Sequence, residues 1–66
     1  MSTVVFPVVG MTCDHCVRAV TAEVAAVPGI SEVVVDLDGA TVSVTGDLID
    51  RTAIAAAVEE AGYALG

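Results

Sequence analysis

The stretch Thr3-Val4-Val5-Phe6-Pro7-Val8-Val9-Gly10-Met11-Thr12-Cys13-Asp14-His15-Cys16-Val17 decides the fold, because the hydrophobic period changes within it. Thr3 to Val9 is Val-rich with one Phe and ends at Gly10, the pattern of a buried strand. Pro7 has no N–H to give a sheet ladder, so one side of this strand is expected to be poorly paired there. From Cys16 the period becomes helical. Val17, Val20, Val24 and Val27 fall on one stripe, Arg18, Thr21 and Ala25 lie away from it, and Pro28-Gly29 stops the helix. Thr12 or Asp14 is expected to cap its start.

Outward from this transition, Ile30 to Leu37 reads as a strand, Asp38-Gly39 as a turn, and Ala40 to Thr45 as the returning strand, with Ala40, Val42 and Val44 alternating against Thr41, Ser43 and Thr45. A second helix follows Gly46-Asp47. Asp50 is its expected cap, Ile54, Ala57, Val58 and Ala61 its inner face, Glu59 and Glu60 its outer face, and Gly62 its left-handed end. Tyr63 to Gly66 leaves room for a very short last strand. The order β-α-β-β-α-β is that of an α+β, ferredoxin-like sandwich: two helices on one face of a four-stranded antiparallel sheet, as one domain over residues 1–66.

Composition narrows the function. Sixty-six residues allow one modest core, and with 56% hydrophobic but 3% aromatic residues that core is built from Val, Ala, Ile and Leu, which leaves little room for a deep enzyme cleft. No apolar run approaches the ~18 residues that span a bilayer, and no basic residue precedes the first apolar stretch as in a secretory signal. A cytoplasmic protein without membrane insertion is expected. The net charge of -7, with Arg18 and Arg51 the only basic residues, argues against nucleic acid. It suits either a basic docking face on a partner or simple solubility.

The chemistry lies in Cys13 and Cys16, the only cysteines. In a reducing compartment a C-x-x-C pair is a metal or redox site more readily than a structural bridge. Placed three apart at a loop-to-helix junction, the two sulfurs converge outside the helix N-terminus. There the unpaired amides and the helix dipole favour the thiolates that bind metal. Structural Zn(II) wants four donors, and only Cys13 and Cys16, with at best Asp14 or His15, are locally present. A thiolate pair suits Cu(I), with Hg(II) equally soft. It also leaves coordination positions open, so an incoming cysteine pair takes the ion stepwise. A thiol oxidoreductase is the rival from another class, distinguished by turnover of a disulfide substrate, and a pure interaction module gives the cysteines no role. Met11 is either a soft third ligand or, the reading favoured here, a core plug. His15 is read first as a solvated helix-start residue and second as a group that tunes the thiolates. Asp14 and Arg18, at i and i+4, are spaced to pair on the surface. Tyr63 is expected either to shield the loop or to pack the core.

The Gly10-Met11-Thr12-Cys13-Asp14-His15-Cys16 loop, with Val27-Pro28-Gly29-Ile30, Val35-Asp36-Leu37 and Glu59-Glu60-Ala61-Gly62-Tyr63, resembles the heavy-metal-associated domain family over nearly the full length, and within it the small bacterial copper chaperones. The resemblance implies Cys13 and Cys16 as Cu(I) ligands, Met11 as a buried loop anchor and Tyr63 as a residue supporting the ligands. It further implies a cytosolic metallochaperone, not an enzyme, that hands copper to a copper-transporting P-type ATPase or a copper-responsive regulator. The same fold serving as a domain of such an ATPase or of a mercury-detoxifying enzyme is the nearest alternative, and Met1 with no flanking linker favours an independent protein. Two features depart from the family. The last strand stops at Gly66, which leaves the edge beside Thr3 to Val9 partly bare and favours self-association, and few Lys or Arg residues offset a Cu(I) bis-thiolate. The expected state is a monomer without metal, with a metal-bridged dimer open to the loaded form.

Overall fold

The computed structural model describes residues 1–66. Its elements are β1 (Ser2–Val9), α1 (Asp14–Ala25), β2 (Ile30–Asp36), β3 (Thr41–Gly46), α2 (Arg51–Glu60) and β4 (Ala64–Leu65). The sheet order is β2-β3-β1-β4 with every neighbouring pair antiparallel. This is the expected ferredoxin-like sandwich.

Alternation along the strands builds the core. Phe6 and Val8 of β1 and Val42 and Val44 of β3 face the helices, where they meet Val20 and Val24 of α1 and Ile54, Ala57 and Val58 of α2. Val20, Val24, Val42, Val44, Ile54 and Val58 are fully buried. At ~25 cal/mol per Å² of apolar area removed from water, these aliphatic side chains supply most of the driving force of so small a domain. Val17 departs from the expected stripe: it is half-buried and outside this cluster, and Cys16, four residues before Val20, takes the buried position instead.

Pro7 is accommodated by the direction of its neighbours. The Val8 amide donates to the Ala40 carbonyl on the β3 side, whereas the Pro7 carbonyl accepts from the Gly66 amide on the β4 side. Successive residues of a strand address opposite neighbours, so the donor that Pro7 lacks would point away from β3. The ladder with β3 therefore runs from Ser2 to Pro7, and β4 pairs only with Val8 and Val9.

The β2–β3 turn differs from expectation at one residue. Ala40 is not an inward strand residue; it sits in the left-handed region at φ 53°, its amide donating to the Leu37 carbonyl, and β3 begins at Thr41. The Asp36 carboxylate accepts from the Gly39 amide at 3.2 Å and holds the turn. At the other end of the molecule the Met1 ammonium pairs with Asp47 at 3.1 Å, the one ion pair in the protein. Asp14 and Arg18 do not pair. No helix is long and apolar enough to cross a membrane.

Candidate metal centre

The site is made where β1 hands over to α1. Gly10 turns the chain at φ 99°, and a side chain there would press on the Tyr63 ring, whose Cδ1 lies 3.3 Å from the β-carbon position. Met11 is half-buried and packs against the core beneath the loop, which makes it an anchor. Cys13 occupies the N-cap position of α1 in an extended conformation, and its side chain caps no amide. Its carbonyl accepts from the Cys16 and Val17 amides at 3.0 and 3.4 Å, starting the helix. The expected caps, Thr12 and Asp14, are not used. Thr12 instead serves the sulfur: its amide donates to Cys16 Sγ at 3.5 Å, and its hydroxyl lies 3.8 Å from the same atom.

Cys13 and Cys16 place their sulfurs 3.7 Å apart. They are not equivalent. Cys13 is exposed, whereas Cys16 is buried at the head of the inner stripe of α1. The Thr12 amide is the largest influence lowering the Cys16 thiol from an ordinary 9.0 to about 6. The Tyr63 hydroxyl is the second, and the Thr12 amide is the close direct contact among them. In return, the Cys16 sulfur raises the Tyr63 hydroxyl above its ordinary 10.0. The expectation of a stabilised thiolate thus holds at Cys16, but its main donor is the loop amide preceding the helix.

Tyr63 reaches this position through the end of α2. Gly62 adopts φ 97°, its amide donates to the Glu59 carbonyl, and the Tyr63 amide donates to the Val58 carbonyl. These paired bonds form a Schellman closure, which turns the chain back so that Tyr63, half-buried, packs against both the core and Gly10. Shielding of the loop and core packing, alternatives in the sequence, coexist. His15 is exposed in the first turn of α1.

At 3.7 Å the two sulfurs are close enough that both would hold a single soft ion, with Cys13 on the exposed side. No group of three or more His, Cys, Asp and Glu side chains is arranged to hold an ion anywhere in the molecule. Cys13 and Cys16 bring together two soft sulfur atoms, one of them accessible.

Sequence reasoning missed the role of Thr12. The signal was indirect: a thiolate beside a helix start will take the nearest unpaired amide, but which sulfur meets which amide depends on the turn of the loop.

Fold and site together define a ferredoxin-like domain with a two-cysteine loop at the head of its first helix. The chain belongs to the heavy-metal-associated domain family, whose model matches residues 5–64. It is 41% identical over 56 residues to the copper chaperone CopZ of Bacillus subtilis, covering 82% of this chain and 81% of that one. It is 45% identical over 58 residues to copper-transporting ATPase 2 of Rhizobium meliloti, covering 85% of this chain but 7% of the ATPase. Among solved structures, a CopZ metallochaperone superposes with a TM-score of 0.92 at 30% identity, covering 98% of this chain and all of that one.

Proposed function

We propose that this protein is a cytoplasmic metallochaperone that carries one Cu(I) on the thiolates of Cys13 and Cys16 and passes it by thiolate exchange to a copper-transporting P-type ATPase or a copper-responsive regulator. It is a binding and transfer protein, not an enzyme, and residues 1–66 act as one domain. The observation that carries this reading is the unequal sulfur pair, 3.7 Å apart, with Cys16 buried and Cys13 exposed. Cys16, thiolate at neutral pH, anchors the ion. Cys13 lets an incoming sulfur replace it without release of the ion to water. Two sulfurs satisfy a soft monovalent ion, whereas Zn(II) asks for two further donors. The copper proteins it resembles support the choice of metal.

The 45% identity to a short part of an ATPase favours one second reading, in which this fold works as a receiving domain. The chemistry of the two sulfurs is the same in either role, and only the direction of transfer differs. The test is direct. Cu(I)-loaded protein is mixed anaerobically with the matching segment of the Rhizobium meliloti ATPase in the presence of a Cu(I) chelator. The proposal expects copper to move to the segment without capture by the chelator. Capture by the chelator, or retention with no exchange, contradicts it. Turnover of a disulfide substrate would favour the oxidoreductase.

A further inference from the structure

The outer face of the sheet breaks the alternation that an open antiparallel face normally keeps, apolar inward and polar outward. On β1 the inward residues are Phe6 and Val8, yet Val5, Pro7 and Val9 on the outer side are apolar as well, and all three are exposed. Register places Val5 opposite Ser43, and Ser43 opposite Val34 of β2. Val5, Val9 and Val34 expose 58%, 58% and 56% of their surface. Two strand spacings separate Val5 from Val34, ~10 Å, and four residues of β1 separate Val5 from Val9, ~13 Å. The half-buried hydroxyl residues Thr41, Ser43 and Thr45 lie between the apolar row of β1 and the single Val34 of β2. The outer row Val5, Pro7 and Val9, with Val34 across Ser43, is a cluster and not an isolated exposed valine, and clustered apolar surface marks a contact surface more often.

The charges around the patch select its occupant. Glu32 and Asp36 flank Val34 on β2, both exposed and aligned in register with Thr45 and Thr41. The face carries no basic residue, because Arg18 lies on α1 and Arg51 on α2. We propose that this outer sheet face, centred on Val5 and Val34, docks a protein segment that presents apolar side chains flanked by Lys or Arg. A second copy of the chain fits poorly, since it would bring Glu32 and Asp36 to a face with no cation to meet them. An anionic lipid surface fails for the same reason. The patch is small, so the contact is weak and quickly reversible, at the low end of transient interfaces. Val9 precedes Gly10 directly, so a docked segment lies beside the metal loop. Cys16 heads α1 on the helix side of the sheet, away from the docked segment. The surface is independent of the metal reading and stands or falls separately.

The test titrates the isotopically labelled, reduced, metal-free chain with an end-blocked peptide of about eight alternating Lys and Val residues and with its Glu-for-Lys counterpart. Charge alone would also draw the Lys peptide to Asp14, Glu23, Glu59 and Glu60 on the helices, so the location of the response decides. The proposal expects amide shifts confined to β1, β2 and β3 around Val5, Val34 and Ser43, with none from the Glu peptide. It expects binding at least about tenfold weaker in Val5→Thr/Val34→Thr and in Glu32→Gln/Asp36→Asn, and loss of binding in about 0.5 M salt. Threonine keeps the β-branched shape that strands favour, so circular dichroism should report an intact fold in the first variant. Shifts spread over the helices, or unchanged binding by Val5→Thr/Val34→Thr, overturn the proposal. So does a concentration-dependent dimer that this variant abolishes, or binding to neutral phosphatidylcholine vesicles.

Discussion

At the scale of single residues, the difference between two cysteines three positions apart is the most consequential feature of the molecule. The Thr12 amide reaches Cys16 because the loop must bend at Gly10 before α1 can start, and the same bend leaves Cys13 outside. A thiolate absorbance titration of the metal-free Cys13→Ser variant is expected to show a midpoint near 6 for Cys16. Tyr63→Phe should move that midpoint upward by removing the hydroxyl. Thr12→Val, which keeps the amide, should move it little. A midpoint near 9.0 for Cys16 in the Cys13→Ser variant, or a large shift in Thr12→Val alone, would contradict this account of the thiolate.

At the scale of elements, the two helices begin differently. In α2 the Asp50 carboxylate accepts from the Thr52 amide at 3.0 Å, whereas α1 starts without a side-chain cap. Helix stability is thus given up at the start of α1, where the two cysteines sit. Asp50→Ala should cost about 1 kcal/mol, lowering the thermal midpoint by roughly 4–8 °C in a domain of this size. A thermal scan checks this, and an unchanged midpoint would mean the cap contributes nothing. Element order was legible in the sequence because the strand pattern ends at Gly10, the helical period begins at Cys16, and Pro28-Gly29, the Asp38-Gly39 turn region and Gly62 punctuate the rest. The Cys13/Cys16 placement and the Tyr63 position were legible for the same reason. Three details were not. The absence of a Thr12 or Asp14 cap follows from Cys13 occupying the N-cap position, which leaves Thr12 before it and Asp14 inside the first turn. The left-handed Ala40 follows from the Asp36 carboxylate closing the turn on Gly39, and the exchange of Val17 for Cys16 follows from the way α1 is rotated against the sheet. Each is a tertiary choice that local pattern cannot fix.

At the scale of the whole molecule, a small aliphatic core is coupled to an ionisable site, so stability must depend on pH. Cys16 is lowered in the folded protein, and the unfolded chain therefore holds more protons between about 6 and 9.0. Stability rises with pH wherever the unfolded state binds more protons. The stabilisation is complete above 9.0 and is lost as pH falls through about 6. Tyr63, raised by the same sulfur, acts in the opposite sense and only above its ordinary 10.0. Urea midpoints of the reduced, metal-free protein should therefore climb across this window, and Cys16→Ser should flatten the climb. A flat or falling profile in the parent chain would contradict it. The net charge of -7, with only Arg18 and Arg51 basic, gives the molecule a predominantly acidic surface.

The central claim, that Cys13 and Cys16 hold one Cu(I), is tested most directly by anaerobic competition with a Cu(I)-selective chromophoric chelator, repeated with Zn(II) and with Cys13→Ser/Cys16→Ser. The account predicts removal of Cu(I) from the chelator at one equivalent by the reduced protein, loss of that capacity in the double variant, and weaker binding of Zn(II). Copper left on the chelator, or Zn(II) bound in preference, would contradict it.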